Sequence, residues 1–373
     1  MQTDIVVVGA GVQGCSLALR LAQAGKGVAV LERSVPGAEA SSAAGGILSP
    51  GVEAVEPGPF YDLCRMSLGI YPAFVSELER LSGLWVGFRA GGTLEVALDD
   101  RMAQVLAGRG AKLERSGLPS EVLDGDAARR LEPALSPQAR GALFFPGEGS
   151  VDPRLLARAL HIAAAAAGAR FVTGQVLGVA VEGGRVTGVD HDSGRIAAPV
   201  VVIAAGAWTM QVRGSGLPPG AVRPVRGQIA VLDTRPPLLR RVIFSEKGYL
   251  VPRPDGRILA GSTMEEAGFE KAVTAGGLLH LMELAVEIAP RLAAAPVVDT
   301  WSSFRPATPD GLPILGPGKT AGLYYATGHY RNGILLAPIT AEVLADAILG
   351  RPPRLDLAPF SPARLGAGRP ARP

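Results

Sequence analysis

Two arginines stand where an anion would complete their chemistry. Arg305 lies in Trp301-Ser302-Ser303-Phe304-Arg305-Pro306, a strand-like stretch whose other residues are apolar or small. An unpaired guanidinium is costly in such surroundings, and its planar fork matches the two oxygens of a carboxylate. A structural acid such as Asp310 would satisfy it equally well. Arg331, with Asn332 and Gly333, precedes the last apolar helical pattern, whose amino end offers unpaired amides and a positive dipole. That end could stabilise a developing anion, or be an ordinary capped helix. Tyr249, in Gly248-Tyr249-Leu250-Val251-Pro252, carries a phenol that could reach a substrate or simply pack.

A third constellation is backbone chemistry. Gly9, Gly11 and Gly14, with Val12 and Gln13 between them, allow a tight turn, close approach of a pyrophosphate and close helix packing. Glu32 follows 18 residues after Gly14, where a dinucleotide-binding unit places an acid on a ribose hydroxyl. The motif alone leaves NAD and FAD both open. The small-residue stretch Ala40 to Gly46 would let backbone approach something flat or phosphorylated.

Other chemistries fall away. The 4 histidines and 2 cysteines have no metal-ligand spacing, and there is no GxSxG or Walker lysine motif. Cys15 reads as a small apolar filler, and no metal is expected. A formal charge of +3 with scattered arginines gives no nucleic-acid footprint. A mean hydropathy of +0.25 comes from short Ala and Val runs, far below the ~20 residues of a membrane span. Met1 to Asp4 lead straight into a strand without a basic or cleavable apolar region, so the expected location is the cytoplasm.

The elements that must hold these residues are legible in outline. With 373 residues, 47% hydrophobic and 19% charged, the chain has the size of a globular enzyme with two or three folding units. Ile5 to Val8, the glycine turn, a helical pattern through Leu21 and Val28 to Leu31 read as strand, turn, helix, strand. The stretch Ala40 to Gly46 is expected to be a loop entering a helix. Helical spacing runs from Phe60 to Leu81. Asp152 and Pro153 open an Ala-rich helix, and Gly183-Gly184 turns a hairpin. Val200 to Ala204 reads as a buried parallel strand. One helix, Leu278 to Ile288, interrupts the strands between 223 and 305, and a final helix spans Ile334 to Leu349 with Pro338 expected in its first turn.

The fold class is therefore α/β: a Rossmann-like dinucleotide-binding domain with a second, antiparallel-sheet α+β substrate domain. Both are discontinuous. The first is expected to take 1–50, 145–222 and 310–365, the second 51–144 and 223–309, with 366–373 a frayed tail.

Taken together, residues 5–33, Ser41-Ser42-Ala43-Ala44-Gly45-Gly46, Ala204-Ala205-Gly206-Ala207-Trp208, Phe304-Arg305-Pro306 and Gly328 to Pro338 resemble the D-amino-acid oxidase group of FAD-dependent oxidoreductases. Within that group the pattern is most like the glycine-oxidising branch that serves thiamine synthesis. The resemblance implies FAD contacts from Gly9 to Gly14 and from Glu32 and Arg33 at the adenosine ribose. It implies Ala40, Ser41, Gly45, Gly46 and Ile47 near the pyrophosphate and flavin, the Gly206 turn beside them, and Val176 on the adenine side. His329, Tyr330, Asn332, Gly333, Ile334 and Leu335 would line the flavin ring. Arg305 and Arg331 would hold the substrate carboxylate, and Tyr249 would close the pocket. No cysteine follows Cys64, so the flavin is expected to be noncovalent.

The activity so implied is FAD-dependent amine oxidation of a small amino acid: glycine, with sarcosine or small D-amino acids beside it. Hydride would pass to flavin N5, and molecular oxygen would reoxidise the flavin to give hydrogen peroxide. The alternative is a dehydrogenase passing electrons to a quinone or partner subunit. Relatives imply a homo-oligomer such as a tetramer.

Overall fold

The computed structural model describes residues 1–53, 57–116 and 118–366. Its first sheet has six strands in the order Ile314–Pro317, Leu323–Thr327, Val200–Ile203, Ile5–Val8, Val28–Glu32 and Arg170–Thr173. All neighbours are parallel except the Ile314–Pro317 edge. The unbroken apolar run Ile5–Val8 is explained by burial on both faces. Ile5 and Val7 meet one core cluster, Val6 and Val8 another.

Helices Val12–Gln23, Pro59–Ser82, Pro153–Ala166 and Gly333–Ile348 cover the first face. Asp152 caps its helix as its sequence suggests, accepting from the amides of Arg154 and Leu155 at 2.9 and 3.1 Å. A three-stranded antiparallel meander, Val176–Glu182, Arg185–His191 and Gly194–Ala197, contributes apolar residues to the opposite face.

The second sheet has eight strands: Val297–Ala307, Arg223–Asp233, Arg257–Gly261, Gly248–Pro252, Val242–Ser245, Thr93–Ala97, Gly141–Phe145 and Glu121–Asp124. It is antiparallel apart from the Val242–Ser245 and Thr93–Ala97 pair. Helix Ala275–Ile288 buries Leu281, Leu284, Ala285 and Ile288 against it. Tail residues 367–373 lie outside the described residues; Gly366 ends a short 3-10 turn.

Three expectations need correction. Helix Pro59–Ser82, expected with the second unit, packs against the helices of the first: Leu63, Tyr71, Phe74 and Leu78 share a core with Leu17, Leu160 and Leu336. Its apolar stripe says that one face is buried, not against what. The segment Ala40–Gly46 has the reverse order: one helical turn, Ala40–Ala43, comes first, and Ala44 to Gly46 then lead into the short strand Ile47–Leu48. Pro338 lies beyond the first turn, since the last helix begins at Gly333. A proline there denies a hydrogen bond to the carbonyl four residues earlier, that of Ile334. That carbonyl instead accepts from the buried Tyr71 hydroxyl at 3.1 Å.

Candidate active site

One cavity runs between the two sheets, and the glycine turn forms one end of it. Gly9 has φ +103°, and a Cβ there would lie 2.6 Å from the carbonyl oxygen of Ala204. A Cβ on Gly14 would strike the carbonyl of Gly9. Gly14 therefore does not line the cavity; its bareness lets helix Val12–Gln23 sit against the turn. Of the amides at that helix start, Val12's is taken, donating to Ser41 Oγ at 3.0 Å. Gln13 ties this helix to the last one through Nε2 and the carbonyl of Gly333 at 2.7 Å.

Glu32 accepts from the amides of Ala10 and Ser34 at 3.0 and 3.2 Å. Arg33 places its guanidinium carbon over the Trp208 ring, 3.9 Å from the centroid, and pairs with Glu39 at 3.0 Å. With Val176 and Gly206 these residues line that end of the cavity. Ala40, Ser41, Gly45, Gly46 and Ile47 form the middle wall. Two side chains of the second unit hold that wall: Trp301 Nε1 donates to the carbonyl of Ala43 at 3.0 Å, and Arg253 Nη2 to that of Gly45 at 2.9 Å.

The far end holds Tyr249, Arg305 and Arg331. Arg305 does not pair with Asp310, whose carboxylate is bound by Arg364 at 2.7 Å. Its fork donates to the carbonyl of Thr263 at 3.1 Å and to Ser262 Oγ. Among the described residues that leaves three of the five N–H groups without a protein acceptor, and no carboxylate within ion-pair distance. The guanidinium fits because Gly227 on the neighbouring strand has no side chain; a Cβ there would run into it. Gly261 and Gly45 make the same room for the Tyr249 ring, which is buried and packs edge-on to Phe244 at 5.6 Å.

Arg331 is not a free fork. Its Nε and Nη2 bond both oxygens of Glu53 at 2.8 Å each. The Glu53 carboxylate holds this guanidinium charged, against the opposing cost of burial. The turn that presents it is strained: Tyr330 takes φ 47°, in the left-handed region, and its amide donates to the carbonyl of Pro306 at 3.0 Å. The following helix has no side-chain cap at Asn332, and Asn332, Gly333 and Ile334 line the cavity. Its amino end therefore opens into the site. Leu335, expected at the flavin ring, faces the core instead and is 1% exposed. His329 is buried, with Nε2 3.1 Å from Thr340 Oγ1, and burial pushes its imidazole down to about 3. Burial thus disfavours its charged form and makes it a weak base.

Sequence reasoning missed Glu53, Gly227, Gly261 and Ser262. Only the tertiary structure brings them to Arg331, Arg305 and Tyr249, from positions 12 to 278 residues away in the chain.

The model of the FAD dependent oxidoreductase family, DAO, matches residues 4–347. The chain belongs to this family. It is 36% identical over 366 residues to a glycine oxidase of Geobacillus kaustophilus (strain HTA426), covering 97% of each chain. A solved glycine oxidase from Geobacillus kaustophilus superposes with a TM-score of 0.92 at 36% identity, over 96% of this chain and 98% of that one. The chain is also 38% identical over 356 residues to a bifunctional protein ThiO/ThiG of Trichormus variabilis (strain ATCC 29413 / PCC 7937), covering 94% of this chain and 53% of that protein. It thus spans about half the length of the bifunctional relatives it matches.

As a member of this family the protein is an FAD-dependent oxidoreductase, and the cavity suits that cofactor. A turn with no room for a Cβ at Gly9, an acid at the end of the second strand, an arginine over an aromatic ring, and an open helix amino end all lie along its wall. Among the described residues, no helix is long and apolar enough to cross a membrane.

Proposed function

We propose that this protein oxidises glycine, and beside it sarcosine or small D-amino acids, with noncovalent FAD and with oxygen as the final acceptor. Glycine, oxygen and water would yield glyoxylate, ammonia and hydrogen peroxide. The observation that carries this reading is Arg305: a cation held in place by Thr263 and Ser262, free of any described acid, in the cavity that begins at the dinucleotide turn. The glycine oxidases among its relatives support the choice of substrate. Resemblance to the glycine-oxidising branch extends the proposal to a role in thiamine synthesis, in the cytoplasm and as a homo-oligomer.

When bound, the flavin supplies a two-electron acceptor for the hydride on the substrate's Cα. The chain's task is then orientation and charge. Arg305 fixes the carboxylate through its remaining N–H groups, which aims the single carbon bearing the amine. Tyr249 closes the pocket beside it. The amino end of the last helix places positive potential where negative charge accumulates during reduction. The substrate amine must lose a proton to react, and His329, made a weak base by burial, is poorly suited to take it. Activity should therefore rise toward alkaline pH.

The test is the visible spectrum of the purified flavoprotein without oxygen, mixed separately with glycine, sarcosine and D-alanine. Bleaching by glycine, then recovery in air with one peroxide formed per flavin, is the expected result. Recovery only with an added quinone or dye would replace the oxidase by a dehydrogenase. No bleaching by any of the three amines would overturn the amine-oxidising reading.

A further inference from the structure

Glu53 sits inside the substrate end of the cavity, and it is not there by default. It ends the short turn Pro50–Glu53, which the second unit grips from several sides. The amide of Gly51 donates to the buried carboxyl of Glu148 at 2.5 Å, the hydroxyls of Ser49 and Thr93 share a hydrogen bond of 2.7 Å, and Arg109 reaches the Gly51 carbonyl while pairing with Glu95 at 2.6 Å. The Phe145 ring fills the space a Gly51 side chain would need. The turn is thus a built support that delivers one carboxylate to Arg331, and only 12% of the Glu53 side-chain surface remains exposed.

The consequence is a count of charge. Among the described residues at this end of the cavity, the ionised groups are Arg305, Arg331 and Glu53. The bidentate Glu53–Arg331 pair is neutral as a unit, so Arg305 alone carries unbalanced charge. One substrate carboxylate balances it; a second would face Glu53 with no cation to answer it.

We propose that Glu53 is a specificity-determining residue that restricts the site to amines bearing a single anionic group, by occupying the arginine that would otherwise bind a second one. This rests on the carboxylate-binding role of Arg305 proposed above. In Glu53→Gln the shape is kept and the charge removed, so Arg331 becomes available to a dianion. In Glu53→Asp the charge is kept and the reach shortened.

The experiment measures binding of two unreactive acids, glycolate with one carboxylate and malonate with two, to the flavin-loaded wild type and both variants. Binding is read by calorimetry and by perturbation of the flavin spectrum. The expected result is tighter glycolate than malonate binding in the wild type, a shift of the malonate-to-glycolate preference by about tenfold or more in Glu53→Gln, and a preference near that of the wild type in Glu53→Asp. Unchanged melting temperatures and flavin spectra show that the variants are folded. If glycolate binds all three proteins and the preference does not move in Glu53→Gln, or moves equally in Glu53→Asp, charge counting is overturned while the role of Arg305 stands. If neither acid binds any of them, the carboxylate reading of Arg305 falls and this proposal with it.

Discussion

Glu148 offers a direct test of the support beneath the active site. Its carboxyl is 5% exposed; Oε1 accepts from the Gly51 amide, and Oε2 has no partner among the described residues. Burial pushes it up from 4.5 to about 8, outweighing the Gly51, Ser49 and Thr93 hydrogen bonds and the Arg109 charge that favour ionisation. Because the folded value is raised, the unfolded chain ionises first as pH climbs. Stability therefore falls between about pH 4.5 and 8, and the loss is constant above that. At about 1.4 kcal/mol per pH interval the full loss is about 5 kcal/mol, of which about 4 kcal/mol develops between pH 5 and 9. Glu148→Gln keeps an acceptor for Gly51 and cannot ionise. Its melting temperature should gain on the wild type across that range, by about 4–8 °C if each kcal/mol is worth about 1–2 °C in a chain of this size. The assay is thermal unfolding of both flavin-saturated proteins by circular dichroism at intervals from pH 5 to 9. A melting difference flat to within about 1 °C would refute the reasoning, since it would place the ionisation of Glu148 in the ordinary carboxylate range.

Arg305→Ala should raise the KM for glycine by at least about thirtyfold, as expected when a desolvated charge pair worth about 2–5 kcal/mol is broken, while FAD stays bound; loss of the flavin on gel filtration would make the residue structural. Tyr71→Phe should lower unfolding stability by about 1–3 kcal/mol, because the Ile334 carbonyl freed by Pro338 loses its acceptance from the Tyr71 hydroxyl; unchanged denaturant midpoints would show that another group satisfies it. His329, depressed to about 3 by burial, binds a proton in the unfolded chain first, so stability is present above about pH 6.5 and lost as pH falls toward 3. His329→Gln should therefore resist acid better, by about 3 kcal/mol at pH 4, and parallel acid-unfolding curves for the two proteins would count against this.

The sequence by itself determined the parts whose physics is local. The glycine turn at 9, 11 and 14, the acid at Glu32, the Asp152 and Pro153 helix start and the doubly buried strands at Ile5–Val8 and Val200–Ile203 depend on backbone freedom, capping and hydrophobic period. Each can be read within a few residues. The resemblance to the D-amino-acid oxidase group rests on those same stretches together with the two arginine motifs. What lay beyond reach depends on partners far apart in the chain. Helix Pro59–Ser82 has an obvious apolar stripe, but only packing assigns it to the nucleotide-binding core. Arg305 could have met Asp310; the structure gives that acid to Arg364 and leaves Arg305 open to the cavity. Arg331 reads in its motif only as part of a positive helix start, yet Glu53 binds it across 278 positions. Gly227 and Gly261 matter because of a guanidinium and a ring on other strands, so nothing in their own neighbourhoods marks them. Local sequence supplies the charges and the turns, whereas which charges neutralise one another is decided by distance in three dimensions, and that decision sets what the site can bind.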